Sequence, residues 1–305
     1  MTPDISVIIP TYNVAPYIKR AIQSALSQNG VTVEIIIVDD ASSDETWDIV
    51  STFNDLRIKK SRHTENKGPS ASRNDAITLA SGRWIAVLDG DDFLLPDRLA
   101  ACLQSAETMQ AQIVVDNLRI HREDDGQEYD QYKPRDFGHK PILDLATFIK
   151  GNTSFLGGTS LGYLKPIFAR EFLQLHHLSY DPEIRIGEDY MLLAEALACG
   201  ARCAIEPTAG YSYTIRKGST SHRLSLEDIK RIQAGDAKFI SKHPLLGAAQ
   251  RAQYQRNRNL KRAYAFTELI TALKNKDYIK AVGLAINCPF IIWYLWRPIA
   301  ARLKF

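Results

Sequence analysis

The sequence predicts an α/β protein: a doubly wound, mainly parallel sheet flanked by helices, followed by a helical C-terminal extension. Three observations carry this. Short β-rich runs alternate with helical blocks through the first ninety residues. The second run, Val33–Val38 (VEIIIV), reads as a strand covered on both faces. Polar clusters close three of the strands, at the rim where such sheets bind ligands.

Taken in order, Ile5–Ile9 is a strand stopped by Pro10. Val14–Gln28 has helical spacing, with Tyr17, Ile18, Ala21, Ile22, Ala25 and Leu26 on one face, and Asn29-Gly30 ends it. The second strand runs into Asp39-Asp40-Ala41-Ser42-Ser43-Asp44, where Ser42 or Ser43 can cap the next helix. Arg57–Ser61 reads as a third strand, Lys67-Gly68-Pro69 as a turn and Ser70–Ala80 as a helix. Trp84–Leu88 is a short buried strand ending in Asp89-Gly90-Asp91-Asp92.

A helix through Met109 and a strand at Ile113–Asp116 follow. Residues 119–141 show no clear period and read as a mobile loop or acceptor-side insertion. Phe155–Thr159, with Gly157-Gly158, reads as flexible. Glu188-Asp189 precedes a helix over Tyr190–Cys199, two strands are expected at Ala201–Glu206 and Tyr211–Ile215, and Lys217–Arg223 is a polar loop. Helices are expected over Ile229–Ile240, Leu246–Lys274 and Tyr278–Ile286.

The 305 residues, 45% hydrophobic and 24% charged, suit a globular protein of one large domain or two modest ones. The net charge of +3 is uneven: Arg223–Phe305 holds 16 Lys+Arg against 5 Asp+Glu, a net +11, which leaves the first 222 residues at −8. A basic segment of this kind suits anionic lipid, nucleic acid or a charged partner. Four cysteines show neither metal-ligand spacing nor a disulfide framework, and reduced thiols suit the cytoplasm. No secretory signal is read at the start, because Ile5–Pro10 is too short.

The chemistry-bearing residues lie at the strand ends. Three carboxylates within Asp89–Asp92 repel one another unless a cation relieves them, and Mg²⁺ or Mn²⁺ favours such oxygens; a solvated acidic turn is the bland alternative. Gly90 is expected to let a ligand approach the backbone. No Gly-x-Gly-x-x-Gly follows the first strand and there is no Walker A lysine, which argues against nicotinamide enzymes and P-loop NTPases. A nucleotide fits: Asp40 can accept from a base or ribose, a cation on Asp91 can meet a diphosphate, and Arg73 can add positive charge. Glu188 or Asp189 can serve as general base. His222 is a candidate metal ligand or diphosphate contact, and Lys217, Ser219 and Ser221 are candidate phosphate contacts.

Five segments in order carry a resemblance: Val7–Asn13 (VIIPTYN), Val38–Asp44 (VDDASSD), Asn66-Lys67-Gly68 with Ala71–Asn74 (ASRN), Asp89–Asp92 (DGDD) and Gly187-Glu188-Asp189. Together they resemble family 2 glycosyltransferases of the GT-A fold, over about residues 4–222. The resemblance implies a GT-A catalytic domain over 1–222, with a nucleotide-sugar half at about 1–92 and an acceptor half at about 93–222. It implies inverting transfer from a nucleotide-diphosphate sugar, usually a UDP-sugar, with Mn²⁺ or Mg²⁺. Asp40 would contact the base, Pro10, Thr11 and Asn13 would line the nucleotide pocket, Asp89 would face ribose or donor sugar, and Asp91 would hold the metal. Asp189 would be the base, with Glu188 as the alternative. Relatives of this kind build exopolysaccharide or surface glycans on saccharide or lipid-linked acceptors. Asp92 adds a third carboxylate and so leaves the metal ligand open by one position. No Gln-x-x-Arg-Trp follows Glu188-Asp189, which points to single addition rather than processive synthesis.

Residues 223–305 lie outside the resemblance. Ala281–Trp296 is apolar but interrupted by Asn287 and Pro289, and it falls short of the ~20 residues of a spanning helix. Trp293, Tyr294 and Trp296 beside Arg297, Arg302 and Lys304 read as an interfacial anchor on the inner face of a membrane, or else as part of a helical cap with a solvated basic face. Nucleic acid is not an expected partner. Two rivals stand: a phosphatase of haloacid-dehalogenase type, which also places Asp-x-Asp at a strand end, and a non-catalytic subunit of a membrane glycan-assembly complex. The first leaves Asp39-Asp40 without a role and has Phe93 where Thr or Val is usual.

Overall fold

The computed structural model describes residues 2–153, 160–216 and 224–288. The strands β1 (Ile5–Thr11), β2 (Val33–Asp39), β3 (Ile58–Arg62) and β4 (Trp84–Val87) lie parallel in the order β3-β2-β1-β4. Ile5 faces Val33 on one side and Trp84 on the other, so Thr11, Asp39 and Arg62 finish together at one rim. The helices α1 (Ala15–Leu26), α2 (Thr46–Thr52) and α3 (Pro69–Leu79) are the crossovers. Ile18, Ala21, Ile22 and Ala25, spaced for one helical face, are the buried residues of α1. β2 is buried along its whole length. Its mid-sheet acidic residue, Glu34, is matched by Lys59 at 2.7 Å and by the Ser6 and Ser81 hydroxyls. Burial works against its charge, but these bonds outweigh that and hold its carboxyl at about 2.

The second half changes the sheet from mainly parallel to mixed. β6 (Ile113–Arg122) and β10 (Cys203–Ile215) are parallel to each other. Between β4 and β6 sits β9 (Ile167–Ala169), antiparallel to both, and β5 (Phe93–Leu94) closes the far edge antiparallel to β10. The short strands β7 (Glu128–Asp130) and β8 (Ile142–Leu143) pair with β6 and β10.

Two expectations are corrected here. Residues 119–141 carry regular structure: β6 continues to Arg122, β7 turns back on it, and Tyr132 and Phe137 are buried with their rings 5.4 Å apart. The charged residues hide the pattern because they pair across the hairpin, as Arg119 does with Asp130 at 2.7 Å. The two strands expected in 201–215 are one strand, β10, irregular between Glu206 and Tyr211. The irregularity brings Gly210 so close to α4 (Arg98–Thr108) that a Cβ there would lie 2.5 Å from Arg98 Cγ and 2.9 Å from Asp116 Oδ2.

Arg98 and Asp116 form a fully buried two-pronged ion pair at 2.8 and 2.7 Å. Arg98 also donates to the carbonyl of Lys165 at 2.8 Å, fixing the chain just before β9. In the second half lie α5 (Leu145–Lys150), α6 (Arg170–Leu175) and α7 (Glu188–Ala198). The C-terminal helices are α8 (Leu226–Lys242), α9 (Gly247–Lys274) and α10 (Tyr278–Asn287). Ser225 and Asp228 start α8 with a capping box. Small apolar clusters join α8 to α9 (Ile229, Ile232, Leu260, Ala263) and α9 to α10 (Leu269, Ala272, Ala281). No helix among the described residues is long and apolar enough to cross a membrane.

Candidate active site

One side of the rim is built from the ends of β1 and β2. Asp39 is a structural anchor: it accepts from the Thr11 hydroxyl at 3.2 Å, the Ser42 hydroxyl at 2.5 Å and Arg62 Nε at 3.1 Å. Asn13, in the left-handed region at φ 52°, accepts from the Ser43 amide at 2.9 Å and so ties the β1 loop to the β2 loop. Asp40 is 3% exposed, and its carboxylate already meets the amides of Lys67 and Gly68 at 2.8 Å each and His63 Nδ1 at 2.7 Å. A nucleobase N–H would therefore compete with three contacts for Asp40. The far nitrogen of His63 meets Asp75 at 2.8 Å. Half-buried Pro10 sits against the Asp89–Asp92 turn: a Cβ on Gly90 would lie 3.4 Å from the Pro10 carbonyl and 2.9 Å from Val14 Cγ2. A side chain at Gly90 is thus opposed by packing against the end of β1 and the loop that follows it.

Next to this rim, five charged side chains form a closed cluster. Arg73, buried to 3% exposure, reaches Asp89 with one nitrogen and Glu188 with the other, both at 2.7 Å, and lies 3.9 Å from Asp189. Lys165 bridges Asp89 and Asp189, at 2.7 Å to each. The Arg73 guanidinium stands over the Tyr180 ring at 5.2 Å. The chain segments after β4, before β9 and at the start of α7 thus meet around two cations and three carboxylates. Burial opposes both cations, but the surrounding carboxylates, Asp189 foremost, hold both pKa values well above their ordinary ones. Burial also opposes the charge on Asp89, yet Lys165 and Arg73 keep it well below the usual carboxylate range. Glu188 goes the other way: burial raises it and Arg73 only partly offsets that. Among the described residues, Asp189 Oδ1 has no hydrogen-bond partner.

Asp91 and Asp92 part company. Asp92 is buried, accepts from the Tyr211 hydroxyl at 2.7 Å and the Thr214 amide at 2.8 Å, and so pins β10 beneath the turn. The Tyr211 hydroxyl in turn accepts from the Asp89 amide at 3.1 Å. Asp91 is part-exposed and pairs with Arg216 at 2.9 Å. Burial and the nearby Asp89 push its pKa up, with Arg216 working against them. A hard divalent cation fits this carboxylate, because it would take over the role Arg216 plays and relieve the repulsion from Asp89. Among the described residues no three His, Cys, Asp or Glu side chains converge as a ready ligand set. That fits an ion held by one carboxylate, with substrate phosphates completing its shell. His222, Lys217, Ser219, Ser221 and Gly157-Gly158 lie outside the described residues.

The structure brings together Arg73, Asp89, Glu188 and Asp189, with Asp91 beside them, and sets Thr11, Asn13 and Asp40 into supporting hydrogen bonds. Sequence reasoning missed Lys165, Arg216 and His63. Each is a lone basic residue without a motif, and only the backbone path makes it a partner of carboxylates.

The sequence profile described as Glycosyl transferase family 2 matches residues 6–172. The chain belongs to this family. This family 2 glycosyltransferase is 44% identical over 302 residues to the succinoglycan biosynthesis protein ExoO of Rhizobium meliloti (strain 1021), covering 99% of this chain and 86% of that one. Among solved structures it is similar to S. aureus TarS 1-349 in complex with UDP-GlcNAc (TM-score 0.63, 21% identity, 87% of this chain and 71% of that one). It is also similar to the mannosyltransferase PcManGT from Pyrobaculum calidifontis in complex with GDP-Man and Mn²⁺ (TM-score 0.60, 20% identity, 100% of this chain and 87% of that one). These likenesses establish the GT-A fold of the glycosyltransferase, and with the family the phosphatase alternative falls.

Proposed function

We propose that this glycosyltransferase moves a sugar, with inversion, from a nucleotide-diphosphate sugar, most simply a UDP-sugar, to a hydroxyl of a saccharide or lipid-linked acceptor in exopolysaccharide assembly. The observation that carries the reading is the cluster of Arg73 and Lys165 with Asp89, Glu188 and Asp189, set at the carboxyl ends of the parallel strands beside Asp91. The succinoglycan biosynthesis role of ExoO supports the polysaccharide assignment, and the UDP-GlcNAc and GDP-Man complexes of the two structural neighbours support a nucleotide-sugar donor.

Asp189, through its unpartnered Oδ1, takes the proton of the acceptor hydroxyl as that oxygen bonds to the anomeric carbon. The bond from that carbon to the donor phosphate breaks, and the nucleoside diphosphate leaves with the electron pair. Lys165 holds the other Asp189 oxygen at 2.7 Å and so orients the carboxylate, and Arg73 fixes Asp89 and Glu188 around the reacting sugar. Asp91 would hold Mn²⁺ or Mg²⁺, with His222 as the further candidate ligand; when bound, the ion supplies positive charge to the departing diphosphate. Pro10, Thr11, Asn13 and Asp40 shape the nucleotide side. The exposed face of α10, with Ile279, Val282 and Ile286 at helical spacing, supports attachment to an anionic membrane surface beside a lipid-linked acceptor.

A panel of UDP-glucose, UDP-N-acetylglucosamine and GDP-mannose tests the assignment. At least one should bind and be slowly hydrolysed only with Mn²⁺ or Mg²⁺, and Asp91→Ala should abolish that turnover. Metal-independent turnover would overturn the metal role given to Asp91, and no turnover with any donor would favour a non-catalytic subunit.

A further inference from the structure

One buried side chain of the C-terminal helices reaches toward the reaction centre with a hydrogen-bonding fork. Arg256 of α9 is 4% exposed, and its Nε donates to Asp236 of α8 at 2.8 Å. Its Nη1 donates to the Asn152 carbonyl at 2.7 Å, and its guanidinium stands 3.7 Å from the centre of the Tyr190 ring. Tyr190 directly follows Asp189 and stacks on Phe148 of α5, with ring centres 5.2 Å apart and planes 19° apart. The contact is reinforced on both sides. Gln253 donates to the same Asp236 oxygen at 3.1 Å, and Asn259 of α9 donates to the Thr153 carbonyl at 2.9 Å. The Asn152 side chain donates to the Phe148 carbonyl at 2.7 Å and accepts from the Ser160 hydroxyl at 2.6 Å.

We infer that Arg256 is a positioning residue for the Glu188-Asp189 turn, acting from the C-terminal helices through Tyr190 and Asn152. This rests on the reading of Asp189 as the base. A buried ion pair is a poor stabiliser, because desolvation offsets most of its attraction. What Arg256 adds is geometry: the edge of a rigid plane is spent on Asp236 and Asn152 while its face lies on Tyr190. Lysine can keep the charge beside Asp236 but offers neither the plane nor the fork. The extension is therefore part of the machinery that sets the angle of α7, and not solely an attachment.

The test uses two variants of the full chain. Arg256→Lys retains a cation beside Asp236; Asp236→Leu with Arg256→Met removes both charges at similar volume, so no lone charge stays buried. Amide hydrogen exchange is compared between residues 145–153 with 188–198 and strands β1–β4, and turnover is measured with whichever nucleotide sugar the native protein hydrolyses. We expect exchange at least tenfold faster in the first set and native in β1–β4, with kcat down about tenfold or more and the donor KM within twofold. Native exchange around 145–153 and 188–198, or faster exchange spread equally into β1–β4, or a kcat within twofold of native in both variants, overturns the proposal. If the native protein turns over no nucleotide sugar, the reading of Asp189 as base fails, and exchange alone decides whether Arg256 holds α7.

Discussion

Glu188 and Asp189 are neighbours in sequence, yet their surroundings give them different tasks. Glu188 is hydrogen-bonded by Arg73 at 2.7 Å, whereas Asp189 is hydrogen-bonded through one oxygen, to Lys165, with Arg73 standing off at 3.9 Å from the other. A general base is worth about 10²–10⁴ in rate. Asp189→Asn should therefore lower kcat by about 10³ while donor affinity, read by calorimetry with the nucleotide sugar, stays near native. Glu188→Gln should cost less, about tenfold; the reverse order would transfer the base to Glu188. Lys165→Met leaves Arg73 alone against three carboxylates, of which Asp189 is buried. It should lower kcat about 100-fold and also lower the melting temperature, because an uncompensated buried charge costs roughly 3–5 kcal/mol. Lys165 had no signature to be read: a single lysine before Pro166 becomes part of the site only because β9 is inserted antiparallel beside β4.

At the scale of elements, the turn after β4 divides its labour between two adjacent carboxylates. Asp92→Ala strands the Tyr211 hydroxyl and the Thr214 amide inside the protein and should cost roughly 2–3 kcal/mol. Asp91→Ala should leave stability within about 1 kcal/mol and remove metal-dependent turnover, since Asp91 is part-exposed and its main protein partner is the half-exposed Arg216. Denaturant melts of the two variants check the contrast; equal losses would place Asp91 in the structural role. The strands, crossover helices and rim of the first half were legible because apolar runs and their polar terminators repeat there. The second half was less legible. The ladder of β10 carries irregularities that periodicity reads as a break, β9 is only three residues long, and the β6–β7 hairpin hides its pattern behind cross-strand charges. The order of the motifs revealed which residues meet, but not that Asp40 is committed to the turn that starts α3.

For the molecule as a whole, acid and membrane are the informative perturbations. Glu34, buried in β2, has its carboxyl held down at about 2 from an ordinary 4.5. Its contribution, about 3 kcal/mol at most, is complete above pH 4.5 and disappears as pH falls through 2. Glu34→Gln should lower stability at neutral pH and flatten the loss of stability between pH 4.5 and 2, measured by denaturant melts across that range. On α10, Ile279, Val282 and Ile286 are 90%, 58% and 73% exposed, so replacing all three with serine should leave folding intact. The triple variant should sediment with phosphatidylserine vesicles several-fold less than the native protein; unchanged sedimentation would remove α10 from the contact.

The sheet runs hydrogen-bonded without a break from β3 to β5, and β9 stitches the first half of the chain to the second. Such a plate has no seam about which the halves could swing apart like jaws. Any opening or closing of the rim would then fall to segments lying beyond the strand ends, over a continuous floor.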